Sequence, residues 1–78
     1  MKISASGQDY LEAILELFLE KGQIRSVDIS EKLGVTRPSV NRAINVLKEK
    51  GFVTHEKYSD IYLTQQGMRV AKAVKSRH

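Results

Sequence analysis

After Gly51 the spacing of apolar residues drops from a period of 3.6 to one of 2, and few small architectures accommodate that switch. Upstream, Leu11, Ile14, Leu15 and Phe18 recur at i, i+3, i+4 and i+7, as do Val40, Ala43, Ile44 and Leu47. Both runs carry the signature of an amphipathic helix. Downstream, residues 52–58 and Ile61-Tyr62-Leu63 read as two strands, with Ser59-Asp60 as the turn between them.

Local punctuation supplies the remaining boundaries. Ser6-Gly7-Gln8-Asp9 resembles a capping box and puts Asp9 at the positive end of the first helix, which Gly22 ends. Ser26 is the expected N-cap of a short helix, Val27 to Leu33, closed by Gly34 in a left-handed conformation. Thr36 caps a third helix, Arg37 to Lys50; Pro38 fits its first turn because no helical acceptor awaits its missing N–H. Thr64 caps a last helix with Met68, Ala71 and Val74 as its stripe. The order helix, helix, helix, hairpin, helix predicts a mainly α fold with a small β-hairpin. This is a winged helix-turn-helix, filling residues 1–78 as one domain.

Composition narrows the function. Seventy-eight residues leave room for one thin core. Cysteine is absent, so neither a disulfide framework nor a thiolate metal site is available. The opening residues lack the apolar core of a secretion signal, and the run from Ile14 to Leu19, broken by Glu16, is far too short to span a bilayer. A cytoplasmic domain without membrane attachment is expected. No nucleophile is paired with a base, and the two histidines are far apart in sequence, so catalysis is not expected either. His55 reads as a surface strand residue. Net charge is +4 with a sequence pI near 9.6, in the range of nucleic-acid binders. The charge is uneven: residues 1–21 are acidic overall, whereas residues 64–78 carry Arg69, Lys72, Lys75 and Arg77 and no acid.

The segment from Ile29 to Leu47 carries the functional signal. Gly34 allows a sharp reversal between two short helices, while Ile29, Leu33, Val35, Val40 and Ile44 supply their shared core. The opposite face of the second helix offers Arg37, Ser39, Asn41, Arg42 and Asn45, with no acid between Glu31 and Glu49. Arginine reads guanine, asparagine reads adenine and serine reads either, so this face suits the edges of bases in a major groove. An ordinary solvated face would mix Glu with Lys. Arg25 and Ser26 lie at a helix N-terminus, where amides, a hydroxyl and a guanidinium can meet a phosphate. Lys57 and Tyr58 beside the hairpin turn would form a wing for phosphate or minor groove, although Glu56 and Asp60 dilute that charge.

These residues, together with Asp9-Tyr10-Leu11-Glu12, Val27-Asp28-Ile29-Ser30, Leu33, Pro38-Ser39-Val40, Glu56-Lys57-Tyr58, Leu63-Thr64, Gly67 and Arg77-His78, carry a resemblance. From Gln8 to Arg77 the chain resembles the N-terminal domain of the diphtheria-toxin-repressor family of metal-dependent regulators, and most of all its manganese transport regulator branch. The resemblance implies a repressor in which a divalent metal, manganese or ferrous iron, orders a homodimer that binds a double-stranded operator. It implies DNA contacts at Thr36, Arg37, Pro38, Ser39, Asn41 and Arg42, and metal ligands at Asp9, Glu12 and His78. Carboxylate oxygens with one imidazole suit those ions better than a soft one. The family continues past the position of His78 into dimerisation helices with further ligands, so over these residues the expected metal site is half built, weak or absent, and dimerisation awaits such helices. The rival expectation is a winged helix used for protein interaction, which would show an exposed apolar patch and binding largely insensitive to salt.

Overall fold

The computed structural model describes residues 7–55 and 60–76. Four helices and one hairpin follow one another: α1 (Gly7–Lys21), α2 (Ser26–Leu33), α3 (Arg37–Glu49), β1 (Val53–His55), β2 (Ile61–Leu63) and α4 (Gln65–Ser76). β1 and β2 pair antiparallel, with Val53 opposite Leu63, Thr54 opposite Tyr62 and His55 opposite Ile61. This is the winged helix-turn-helix expected from the change of period. The described strand β1 is shorter than the run 52–58, of which residues 56–58 lie outside the described residues, as do Ser6 and Ser59.

α1 is the central element. It buries Tyr10, Leu11, Ala13, Ile14, Leu15 and Leu17, more than one stripe, because α2, α3, α4 and β2 all pack around it. Only a narrow ridge stays acidic, formed by Asp9, Glu12, Glu16 and Glu20. Ile29 of α2, Val40, Ile44 and Leu47 of α3, Val53, Ile61 and Ala71 complete the core. Ile24 joins them from the link between α1 and α2, where its carbonyl accepts from the Ile61 N–H at 2.9 Å and ties that link to the hairpin.

Two expectations fail here. Phe18 continues the stripe of α1 but is 40% exposed. It belongs to the last turn, where α4 offers Met68, Lys72, Lys75 and Ser76 across an open groove. The cap of α2 is Arg25 rather than Ser26: Arg25 is extended (φ −117°, ψ 157°) and Ser26 is already helical. Asp28, three residues into the helix, accepts from the Arg25 N–H at 3.3 Å, the half of a capping box that reaches back to the cap residue, while its own N–H donates to the Arg25 carbonyl at 3.0 Å.

The caps expected at Gly22, Gly34, Thr36 and Thr64 form. Gly22 (φ 74°) closes α1, and Gly34 (φ 69°) closes α2 with its N–H on the Ser30 carbonyl at 2.9 Å. Thr36 accepts from the Ser39 N–H at 3.3 Å. Thr64 Oγ1 accepts from the Gly67 N–H at 3.0 Å and donates to the Gly51 carbonyl at 2.6 Å, which joins the start of α4 to the end of α3.

Candidate nucleic-acid interface

The reversal between α2 and α3 determines how α3 is presented. Gly34 supplies the left-handed residue; Ser30 Oγ then donates to the Val35 carbonyl at 2.6 Å, and the Val35 N–H donates to the Ser30 carbonyl at 3.1 Å. With Val40, Ile44 and Leu47 inward, α3 leaves Arg37, Pro38, Asn41, Arg42, Asn45 and Val46 exposed. Ser39 is half-buried, and the Thr36 hydroxyl donates to its Oγ at 2.9 Å. The resulting surface holds two guanidiniums, two amides and two hydroxyls, and no carboxylate until Glu49. It can donate several hydrogen bonds into a groove and has little to repel phosphate.

The N-terminus of α2 adds a second group of donors. Arg25 is exposed and its Nε stands 4.0 Å from Asp60 Oδ1, while Ser26 is half-buried in the first turn. Asp28 sits in the same turn, partly offsetting that positive end. The hydrogen bond from Lys21, at 3.0 Å, and that from the Arg25 N–H hold its carboxyl below the ordinary value. Of the wing residues, Lys57 and Tyr58 lie outside the described residues. Thr54 and Tyr62, opposite one another on β1 and β2, are exposed on the hairpin.

On another side of the molecule, Asp9 and Glu12 line an open cleft with Ala13, Glu16, Lys32 and Leu33. His78 lies outside the described residues. Among the described residues no three His, Cys, Asp or Glu side chains converge as a metal-binding set.

Sequence reasoning missed an ionic clip centred on Glu16. Lys75 Nζ of α4 lies 3.2 Å from Glu16 Oε2, and Lys32 Nζ of α2 lies 3.3 Å from Glu16 Oε1 and 3.6 Å from Glu20 Oε2. These hydrogen bonds, that from Lys75 foremost, hold the Glu16 carboxyl below its ordinary value and raise the Lys32 ammonium above its own. The four-residue spacing of the acids was visible in the chain. Their partners, on helices remote in sequence, were not.

Comparison with known proteins follows the same outline. Residues 2–61 match the family described as iron dependent repressor, N-terminal DNA binding domain. The transcriptional regulator MntR of Salmonella typhimurium is 34% identical over 70 residues, which cover 90% of this chain and 45% of that protein. The crystal structure of T. acidophilum IdeR superposes with a TM-score of 0.80 at 38% identity, over 87% of this chain and 32% of that one. The structure of the manganese regulator SloR gives a TM-score of 0.76 at 28% identity, over 90% and 33%. The chain spans about half the length of the curated relatives it matches.

Proposed function

We propose that this chain, which belongs to the iron dependent repressor family through its N-terminal DNA binding domain, binds duplex DNA with α3 in the major groove. The observation that carries this reading is the division of α3 into a buried face of Val40, Ile44 and Leu47 and an exposed, acid-free face of Arg37, Asn41, Arg42 and Asn45. In this reading Arg37 and Arg42 read guanine, Asn41 reads adenine, and Ser39 contacts either base or backbone. Thr36 and Pro38 set the helix end against the phosphates. Arg25, Ser26 and the α2 amides hold one phosphate, and Lys57 and Tyr58 another from the wing. The family is one of repressors rather than enzymes. Titration on operator and random duplexes at several salt concentrations tests the reading: specific binding should weaken steeply with salt, and salt-insensitive binding would overturn it.

Within a longer protein, the same domain would act in the cytoplasm as the DNA-binding half of a metal-dependent repressor, dimerising through a following domain on a palindromic operator. Among the described residues no helix is long and apolar enough to cross a membrane. Asp9 and Glu12 are hard oxygen donors one helical turn apart, lining a cleft in which the Lys32 ammonium already stands as a cation. That chemistry fits a manganese or ferrous ion as a half-site, which His78 would extend. A divalent ion held there would supply positive charge between the carboxylates. Asp9 and Glu12 hold the α1 side of that site, and Glu16 keeps the end of α4 beside it through Lys75.

One observation favours the rival reading of an interaction module. Phe18 and Leu19, 40% and 65% exposed, form an apolar groove with Leu15 and Met68. The groove is built by α1 and α4 and takes no residue from α3. In that reading a protein partner occupies the groove and the domain binds no specific DNA sequence.

A further inference from the structure

Between the first turn of α1 and one flank of α3 lies a cleft of about 360 Å³, lined by apolar Val35, Ala43, Val46 and Leu47 and by the cations Arg42 and Lys50. Both cations are exposed, and among the described residues neither has an acidic partner. Tyr10 reaches the cleft from α1. It is only 4% exposed, yet among the described residues its hydroxyl has no hydrogen-bond partner and is not sealed from solvent. Buried tyrosine hydroxyls ordinarily find a partner, so this one is a polar group left open on the cleft. Burial also pushes its phenol up, so at neutral pH it keeps the proton and can donate it. Gly7, one turn earlier, leaves the space unfilled: a Cβ there would meet Leu47 Cδ2 at 3.8 Å, an ordinary contact.

We propose that this cleft binds a small aromatic carboxylate, its ring against Val46 and Leu47 and its carboxylate on Arg42 and Tyr10, and that the ligand thereby weakens the hold on DNA. The volume lies at the small end of ligand sites, which suits a body of about one or two rings. Apolar walls favour a ring over a bare inorganic anion, whose contacts would leave them wet. The planar guanidinium fork matches a carboxylate, and the Lys50 ammonium adds attraction from the same lining. The effect on DNA rests on the reading given above, in which Arg42 reads guanine; a guanidinium held in the cleft is withdrawn from that task. The binding site itself does not rest on it.

The test uses 2-naphthoate as the probe, titrated into the 78-residue chain and followed by its fluorescence, with thermal melts verifying that each variant folds. The wild type should bind saturably with Kd at or below about 1 mM. Tyr10→Phe should weaken binding about fivefold to tenfold, the loss of one hydrogen bond to a charged group. Gly7→Leu, which fills the cleft, should abolish it. Lys50→Gln should weaken it about twofold to fivefold, whereas Lys72→Gln, exposed on α4 and outside the cleft, should change it less than about twofold. Neutral 2-naphthamide and ringless acetate should each bind about tenfold more weakly or worse. Wild-type affinity in Gly7→Leu or Tyr10→Phe, equal binding of acetate, or no saturable binding overturns the site. Saturating 2-naphthoate should also weaken operator binding about fivefold or more in the wild type and leave it unchanged in Gly7→Leu. Naphthoate binding without that loss overturns the coupling alone. Failure of the ligand-free chain to bind operator duplex defeats the DNA reading, while the titration still judges the site.

Discussion

Gly67 meets the backbone of Phe52 so closely that a Cβ at position 67 would overlap the Phe52 carbonyl. The same carbonyl accepts from the Thr64 N–H at 3.0 Å, so the start of α4 lies directly on the segment leading into β1. The contact ties the last helix to the hairpin, and a side chain at 67 would have to push backbone rather than side chain aside.

Gly67→Ala should therefore cost about 3 kcal/mol or more, at or beyond the upper end of ordinary overpacking because no rotamer can relieve it. Gly34→Ala, where the added Cβ meets nothing within 4 Å and only the positive φ is strained, should cost about 1–2 kcal/mol. Chemical denaturation of the two variants checks the order; the reverse order would show that α4 does not rest on Phe52.

Leu47→Ala should cost roughly 2–5 kcal/mol, since Leu47 is buried in the core that α3 shares with α1. In a domain this small that is a large part of the total stability. The melting midpoint is the measurement, and an unchanged midpoint would be incompatible with a buried Leu47.

Removing Arg37 or Arg42 should cost about 1–3 kcal/mol on the specific site and relax base preference, if these residues read bases. Arg25→Ala or Lys57→Ala should instead weaken operator and random duplex alike and reduce the salt slope. Equal losses on both duplexes for Arg37→Ala would assign that residue to phosphate.

The clip at Glu16 makes stability depend on pH. Lys75 and Lys32 lower the Glu16 carboxyl, so its contribution is present above the ordinary carboxylate pKa and is lost as pH falls through the lowered value. The raised Lys32 ammonium keeps its share at neutral pH and loses it only as pH rises through its own raised value. Glu16→Gln should cost about 0.5–1 kcal/mol at neutral pH, the range of partly exposed pairs, and flatten the acid limb of a stability-pH curve. A variant whose acid limb matches the wild type would place that dependence elsewhere, with Asp28 the next group to examine.

The isolated chain should bind manganese no tighter than the millimolar range and remain a monomer with or without it. Manganese takes about six oxygen or nitrogen donors, and Asp9, Glu12 and His78 would leave about half of them to water. Calorimetry with Asp9→Ala as control measures this. Micromolar binding abolished by that substitution would show that the half-site suffices.

Local chemistry determined most of the architecture. The change of period at Gly51, the left-handed Gly34 and the Thr36 and Thr64 caps each act within a few residues, so the helices, the reversal and the outward face of α3 could be read along the chain. What lies opposite each element was decided by tertiary structure. Periodicity gives an angle around a helix but not the neighbour at each height, so the stripe of α1 predicts a core Phe18 although the groove beside it stays open, and Ile24, in a link without periodicity, joins the core beside Ile61. α2 begins at Ser26, one residue earlier than a serine cap predicts, and Asp28 reaches back to the Arg25 N–H. The clip of Lys32, Glu16 and Lys75 exists only because packing brings three helices together. Helix propensity and capping are short-range; burial and ion pairing depend on which surfaces meet.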